Sequence, residues 1–256
     1  MKKTFLEYDK PLITAMIICR TPEECIAKIK ASIEDGADAL GIQLGRLQPQ
    51  YKKREYIEKI FAACGDKPIY LMNYRYDNEP GNTTFEDCME LLLLGLDCGA
   101  TLCDVMSNLY ETSAPFELAM SVDAVKKQKE IINEIHNRGG EVLMSCHTLK
   151  STTVEENLML AREQIDRGAD VIKIVNEALV PDEIPKYIEA IQKILQMTDK
   201  KLLFLVSGEG DIIRYIGPSF GVCMYLCVHK HGEFDTPQQP LIKNIKAMRD
   251  NMKFIK

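Results

Sequence analysis

The chain has 256 residues, a length that fits either one large α/β barrel or two domains of ordinary size. Its composition, 46% hydrophobic and 27% charged with 15 Gly and 11 Pro, excludes the disordered and collagen-like classes. The net charge of -6, with Lys and Arg dispersed along the chain, argues against nucleic acid or an anionic membrane as partner.

The cysteines and the amino terminus indicate the compartment. The nine cysteines are odd in number, form no C-x-x-C pair and lie mostly within apolar runs, so we expect reduced core thiols. The amino terminus begins basic but reaches acidic residues before any apolar segment of signal-peptide length, and no apolar stretch is long enough to span a membrane. We therefore expect a cytoplasmic protein.

Short β-type runs alternate with longer segments of helical periodicity along the whole chain, a pattern typical of a parallel sheet covered by helices. Most of the runs are continuously apolar, as strands buried on both faces are. The predicted strands lie near 12–19, 39–44, 68–74, 101–106, 141–146, 171–175, 202–206 and 219–227. The predicted helices lie near 21–35, 51–64, 84–98, 122–138, 153–167, 182–197, 209–216 and 240–252.

A faint repeat supports this count. Gly36, Gly99 and Gly168 each end a predicted helix and lead directly into a strand, as glycine after a helix C-terminus does. Their separations correspond to two βα units of about 30 to 35 residues each. We predict a single-domain (βα)₈ TIM barrel over residues 1–256, with a doubly wound open sheet as the alternative. In a barrel, functional groups lie at the C-terminal ends of the strands.

Lys173 lies in the middle of the sixth apolar strand. A buried ammonium either pairs with an acid or gives up its proton more readily than a free one. A desolvated lysine is a nucleophile that condenses with a ketone to form a Schiff base. The structural alternative is a lysine that reaches out of the strand edge or sits in a buried ion pair, and the strand pattern does not decide between the two.

His147 ends the fifth strand, so neighbouring barrel strands would bring it close to Lys173. A histidine there suits removal of a proton beside an iminium and its return to a leaving hydroxyl. The alternative is a capping or core histidine.

Two arginines lie at the same predicted end of the barrel. Arg75 closes the third strand and Arg214 follows the seventh. Either could hold an anionic substrate through its planar guanidinium, although such arginines are more often exposed surface charges. The run Cys227-x-His229-x-His231 has a spacing common by chance and no evident fourth ligand, so we predict no metal site.

These motifs resemble those of the type I 3-dehydroquinate dehydratases, Schiff-base (βα)₈ enzymes, over residues 11–252. The segment 142–147, Val-Leu-Met-Ser-Cys-His, resembles the strand that ends in the family's catalytic histidine. The segment 168–174, Gly-Ala-Asp-Val-Ile-Lys-Ile, resembles the one that carries the Schiff-base lysine. The resemblance implies His147 and Lys173 as catalytic residues, no cofactor and a homodimer.

Further matches extend the implied site. Arg75 followed by Glu79-Pro80-Gly81 is similar to the family's strand-three arginine and Glu-Gly-Gly turn, whose glutamate assists the histidine. The segment 210–214 resembles the one whose arginine grips the substrate carboxylate, and Gln239 falls in the family's lid. The resemblance therefore implies Glu79 as a catalytic residue, with Arg214, Arg75 and Gln239 as substrate contacts.

Three departures concern the substrate. After strand two the family usually carries Glu-x-Arg-x-Asp, whereas here Gln43 is the polar side chain of the run 41–45. The lid serine is replaced by Asp235, whose charge near a bound carboxylate should weaken binding unless it points away or pairs. Strand four keeps Asp104 but lacks the acid two residues later. We expect Gln43 and Asp235 to contact the substrate region.

The sequence therefore predicts a lyase that dehydrates 3-dehydroquinate to 3-dehydroshikimate, or acts on a close cyclic β-hydroxy keto acid, through an imine on Lys173. The lost polar residues after strand two leave a class I aldolase or dehydratase for a different keto acid as the first alternative. A catalytically silent barrel that binds a ligand is the second. The expected partner is a small-molecule carboxylate, with neither metal nor organic cofactor.

Overall fold

The computed structural model describes residues 3–75 and 83–252. In these two segments the chain forms eight parallel strands, in agreement with the predicted count. The strands are β1 (Leu12–Ile18), β2 (Ala39–Gln43), β3 (Ile69–Met72), β4 (Leu102–Met106), β5 (Glu141–His147), β6 (Val171–Ala178), β7 (Lys201–Gly208) and β8 (Met224–Cys227).

One α-helix follows each strand. The helices are α1 (Pro22–Glu34), α2 (Arg54–Ala62), α3 (Phe85–Asp97), α4 (Val122–Asn137), α5 (Val154–Arg167), α6 (Ile184–Met197), α7 (Ile213–Ile216) and α8 (Ile242–Arg249). The side chains of Thr21, Thr84 and Thr153 cap α1, α3 and α5 by accepting a backbone N–H of the first turn. Among the described residues, no helix is long and apolar enough to span a membrane.

The strands follow one another around the sheet in chain order, β1 to β7, with β8 beside β1. The Cys223 N–H donates to the Leu202 carbonyl at 2.8 Å and so joins the β8 end of the sheet to β7. This closure confirms the (βα)₈ TIM barrel and excludes the doubly wound open sheet. The glycines of the predicted repeat have φ of 103° at Gly36, 108° at Gly99 and 107° at Gly168, a left-handed conformation that glycine adopts without strain.

The end of the barrel opposite the C-terminal strand ends is closed by the short 3₁₀ turn Phe5–Glu7. The Glu141 carboxylate, at the start of β5, accepts the backbone N–H groups of Phe5 and Leu6 at 3.0 and 3.3 Å. The Phe5 ring packs edge-on against Tyr70 at a centroid distance of 6.4 Å. Tyr70 therefore lies at the floor of the barrel interior.

The eighth predicted strand begins too early. The segment Gly217–Phe220 is a 3₁₀ helix, because Pro218 has no N–H for a strand ladder and Gly221 takes a left-handed φ of 105°. The strand starts only at Met224. The seventh helix is likewise shorter than predicted, since residues 208–211 form a turn in which the Asp211 N–H donates to the Gly208 carbonyl at 3.3 Å.

Candidate active site

Four neighbouring strands send polar side chains into the barrel interior. Ser145 on β5 is in register with Lys173 on β6, and Met106, two residues beyond Asp104 on β4, is in register with Ser145. Because alternate residues of a strand face the same side, Asp104, Ser145 and Lys173 all point inward, as Tyr70 on β3 does. The polar groups therefore meet in an otherwise apolar interior.

The Lys173 ammonium lies in a buried ion pair. Its Nζ is 3.1 Å from Asp104 Oδ2, and the exposed fractions of the two side chains are 4% and 0%. Nζ also donates to the hydroxyls of Tyr74 at 2.8 Å and Tyr70 at 3.1 Å. Of the alternatives that the sequence left open, Lys173 pairs with an acid. Any reaction at Nζ therefore begins by moving a proton off the amine.

The Asp104 carboxylate accepts more than the lysine. Oδ2 accepts the Tyr74 hydroxyl at 2.5 Å and the Tyr70 hydroxyl, while Oδ1 accepts Ser145 Oγ at 2.5 Å. Hydrogen bonds to the charged form offset much of the cost of burying a carboxylate. We call the group formed by Tyr70, Tyr74, Asp104, Ser145 and Lys173 the amine cluster.

His147 lies at the C-terminal end of β5 and faces the mouth of the barrel. Its backbone N–H donates to Glu117 Oε2 at 2.9 Å, and its ring Nδ1 lies 2.9 Å from the same oxygen. A carboxylate can only accept, so Nδ1 carries the proton and Nε2 is left as the basic nitrogen of the neutral ring. The Tyr74 ring packs edge-on against the imidazole at 5.9 Å and so connects His147 with the amine cluster.

Glu117 reaches His147 from the loop between β4 and α4. Phe116 and Glu117 both have left-handed backbone conformations, with φ of 59° and 53°. Such conformations cost energy in residues other than glycine and persist where the surroundings hold them. Lys150 helps to stabilise this backbone conformation, because its Nζ lies 3.7 Å from the centre of the Phe116 ring.

Glu117 was not among the residues predicted from the sequence. The predicted assistant of the histidine, Glu79, lies outside the described residues. The signal that could have identified Glu117 is its place in a loop at the C-terminal end of a barrel strand, where acidic side chains face the site.

Arg214, in α7, is buried with an exposed fraction of 6%. Its Nε donates to the Val206 carbonyl at 3.0 Å and one terminal nitrogen donates to Ser207 Oγ at 2.9 Å. Burial lowers the pKa of the guanidinium, and among the described residues it makes no ion pair with a carboxylate. The nearby Asp211 carboxylate acts in the opposite direction on this pKa but forms no ion pair with Arg214. A buried cation that no described carboxylate contacts directly, at the mouth of a barrel, suits an anionic ligand.

The family comparison agrees with this geometry. The type I 3-dehydroquinase family matches residues 13–254. The chain belongs to the type I 3-dehydroquinase family. A comparison with curated protein sequences finds no match.

Solved structures show the same fold. The 3-dehydroquinate dehydratase of Geobacillus kaustophilus HTA426 is 15% identical with a TM-score of 0.80, covering 94% of this chain and 91% of that one. The type I enzyme of Clostridium difficile, solved with covalent modified comenic acid, is 18% identical with a TM-score of 0.77, covering 95% and 92%. The Enterococcus faecalis enzyme is 17% identical with a TM-score of 0.75, covering 95% of both chains.

Two predicted substrate contacts lie near strand ends: Arg75, which the dehydroquinase resemblance implies, and Gln43, which stands where the sequence departs from the family pattern. Arg75 is exposed, donates through Nε to the Thr83 carbonyl at 3.1 Å and lies 5.3 Å from the centre of the Phe85 ring. Gln43 ends β2 with an exposed fraction of 3%, and its Oε1 accepts the Gly45 N–H at 3.1 Å. Gln43 is in register with Met72, two residues beyond Tyr70, and so lies on the inward-facing side of β2, whereas Arg75 is exposed.

The loop after β8 holds Asp235 and Gln239, which the resemblance places in the dehydroquinase lid. Asp235 turns toward α1, and its Oδ2 accepts Nζ of Lys28 on that helix at 3.4 Å. The same oxygen accepts the Gly232 N–H of its own loop at 2.8 Å. Its charge is therefore paired. The Gln239 side chain is buried, and its Oε1 has no hydrogen-bond partner among the described residues. A buried amide oxygen without a partner is uncommon in folded proteins.

Two of the three histidines outside β5 have structural partners. His229 Nδ1 lies 2.5 Å from Asp35 Oδ2. The other oxygen of this carboxylate, Oδ1, lies 3.1 Å from Lys243 Nζ. His136 Nε2 lies 2.8 Å from Asp170. In the part of the chain that the structure describes, no group of three His, Cys, Asp or Glu side chains could hold a metal ion.

Proposed function

We propose that the protein dehydrates 3-dehydroquinate to 3-dehydroshikimate through an imine on Lys173. Membership of the type I 3-dehydroquinase family supports this carbon–oxygen lyase reaction of the shikimate pathway. The observation that carries the proposal is the position of Lys173, whose amine lies buried among hydrogen-bonding groups beneath His147. A buried amine beside a base is the arrangement that imine chemistry requires.

Each residue has a role in the proposed reaction. Lys173 attacks the ketone, and the resulting iminium withdraws electrons from the adjacent carbon. His147 removes a proton from that carbon and later protonates the departing hydroxyl. Glu117 orients the imidazole and stabilises its protonated form through the 2.9 Å contact with Nδ1. Hydrolysis of the imine then releases the product and restores Lys173.

Arg214 is the proposed anchor for the substrate carboxylate. It extends from the segment after β7, the strand next to the one that carries Lys173. Its buried guanidinium forms no ion pair within the described residues, so a carboxylate would meet a charge that is already desolvated. Gln239 and Arg75 are supporting contacts in this proposal, and Glu79 is a second candidate to assist His147.

A different keto acid is the second candidate function. This candidate is favoured by the segment 41–45 at the end of β2, where Gln43 is the polar side chain. Its Oε1 already accepts the backbone N–H of Gly45. Fewer contacts to substrate hydroxyls would relax the choice among keto acids without changing the chemistry at Lys173. A class I aldolase or dehydratase would use the same amine and base.

A homodimer in the cytoplasm completes the proposal. The family resemblance supports the dimer, and the nine free cysteines support a reducing compartment. Size-exclusion chromatography with light scattering measures the dimer directly.

The test is to trap the imine. Borohydride is added to the protein with 3-dehydroquinate, and intact mass is measured for the wild type and for Lys173→Ala. A wild-type adduct of substrate or product mass that is absent in the variant supports the proposal, as does release of 3-dehydroshikimate. If no adduct forms, the same trap over a panel of keto acids separates the second candidate from a silent barrel, which would bind ligands without any adduct.

A further inference from the structure

We propose that Tyr74 is a catalytic residue of the imine chemistry, its hydroxyl carrying protons between Lys173 and the ketone oxygen by way of Asp104. This inference rests on the proposed function. It starts from the ion pair, since a lysine held as an ammonium against Asp104 cannot attack a carbonyl until a proton leaves Nζ.

The hydrogen bonds give that proton a path. Nζ donates to Tyr74 Oη at 2.8 Å, and the Tyr74 hydroxyl in turn donates to Asp104 Oδ2 at 2.5 Å. A proton that passes from Nζ to Oη while the phenol proton passes to Oδ2 leaves a neutral amine, an intact phenol and a protonated carboxyl. No charged tyrosine forms, and each donor and acceptor is already within hydrogen-bond distance.

Tyr70 makes the same two contacts but lies in a different place. Its ring packs on Phe5 at the floor of the barrel, and its exposed fraction is 0%. Tyr74 follows the end of β3, packs on His147 and has an exposed fraction of 7%. A ketone held between His147 and Nζ would therefore be on the Tyr74 side of the amine cluster, so Tyr74 can return a proton to the substrate and Tyr70 cannot.

The atoms balance over imine formation. The neutral amine attacks the ketone carbon, the carbon–nitrogen bond forms, and the carbonyl electron pair moves to oxygen. A second Nζ proton reaches that oxygen through Tyr74, and the proton stored on Asp104 follows by the same route. The oxygen leaves as water, the iminium retains one N–H, and Asp104 is again a carboxylate. Two ammonium protons thus end in the released water.

The contact between Nζ and Asp104 Oδ2 at 3.1 Å does not replace this route. It can take the first proton from the amine, but the Asp104 side chain is fully buried beneath the lysine. Delivery of the proton to the ketone oxygen needs a group at the mouth of the barrel. Tyr74 is a member of the amine cluster that both touches Nζ and packs against His147.

The experiment measures the rate of imine formation by rapid mixing with 3-dehydroquinate and quenching in borohydride. The variants are Tyr74→Phe and the matched control Tyr70→Phe, which removes the same hydroxyl from the floor. We expect Tyr74→Phe to slow trapping about 100- to 10,000-fold, the usual contribution of a single proton-transfer group, with the dissociation constant changed less than threefold. The slowing of the trapping rate by Tyr70→Phe should be at least ten times smaller.

A second readout separates proton transfer from packing. Replacement of Tyr74 by 3,5-difluorotyrosine keeps the ring and hydroxyl but makes the phenol a stronger acid, so the trapping rate and its pH profile should shift. The same replacement at Tyr70, which also contacts Nζ and Asp104 but lies at the floor of the barrel, should shift the trapping rate and its pH profile less. It also serves as the test if Tyr74→Phe does not fold.

The outcomes are distinct. If the wild type forms no adduct, the proposed function fails. If the wild type forms the adduct and both Tyr74 variants form it at the wild-type rate, or if the Tyr70 variants are the slower ones, the function stands and the role of Tyr74 is wrong.

Discussion

Glu117 holds His147 at two points, since one carboxylate oxygen accepts both the backbone N–H and the ring Nδ1 at 2.9 Å. The first contact fixes where the end of β5 meets the β4–α4 loop. The second fixes the tautomer of the ring. Glu117 is thus placed to do what the family resemblance assigns to Glu79.

We expect Glu117→Gln to lower kcat with 3-dehydroquinate about 10- to 100-fold, less than the roughly 100- to 10,000-fold contribution of a general base itself, with a smaller change in KM. The neutral amide keeps the size of the side chain but does not stabilise a protonated imidazole. Steady-state kinetics on Glu117→Gln and Glu79→Gln compare the two carboxylates. A wild-type kcat for Glu117→Gln, together with a large loss for Glu79→Gln, would show that Glu117 only anchors its loop.

The second prediction concerns the contribution of Arg214 to substrate binding. In a Lys173→Ala background, which prevents turnover, Arg214→Gln should weaken binding of 3-dehydroquinate by about 1.5–3 kcal/mol, the usual range for hydrogen bonds to a charged group. Isothermal titration calorimetry gives the value. Arg75→Gln is the matched control, and it should cost less because Arg75 is exposed and donates to the Thr83 carbonyl. The reverse order of the two losses would exchange the roles of the arginines.

The barrel could be predicted because its signals are local. Continuous apolar runs mark the strands, and Gly36, Gly99 and Gly168 mark the helix ends. The start of β8 could not be placed, because residues 219–223 look like part of the same strand. The 3₁₀ turn there depends on Pro218 and Gly221, whose effect on the ladder is visible only once the neighbouring strands are in place.

The site could be predicted only in part. Lys173 and His147 stand out because titratable groups are rare in or at the end of apolar strands. Asp104 carries the same signal within β4, but the family pattern draws attention only to the missing acid two residues later. Tyr74 looked like an ordinary strand residue. Glu117 lies 30 positions before His147, and its contact depends on two left-handed residues that no sequence pattern announced.

Asp235 gives a prediction about the lid. Because its carboxylate is tied to Lys28 and the Gly232 N–H, Asp235→Ser should change KM less than threefold while lowering the free energy of unfolding by about 1–3 kcal/mol. Urea unfolding and steady-state kinetics measure the two effects. Lys28→Met and the double variant complete a cycle, whose coupling energy reports the ion pair. A large fall in KM for Asp235→Ser would mean that its charge faces the substrate instead.

Glu183 gives the pH prediction. Its carboxylate joins the loops after β5 and β6, because it accepts Lys186 Nζ at 2.6 Å, the Ser151 hydroxyl and the Leu179 N–H at 2.6 Å. The Lys186 contact, followed by the Ser151 hydroxyl, lowers the pKa of Glu183 from 4.5 to about 2. A carboxyl with a depressed pKa in the folded state stabilises the protein fully above the unfolded value and loses that stabilisation as the pH falls through the folded value.

Glu183→Gln should therefore lower the free energy of unfolding by about 1–2 kcal/mol at pH 7, in keeping with charge-assisted hydrogen bonds. The difference from the wild type should begin to shrink below pH 4.5 and vanish toward about 2. Urea unfolding at pH 7, 5, 4 and 3 measures this difference in the free energy of unfolding. Glu189→Gln is the control, because its pair with Lys193 is about half exposed, at 53% and 45%, and such pairs contribute little. A difference that stays constant from pH 7 to 3 would show that the Glu183 carboxylate acts through packing rather than through its charge.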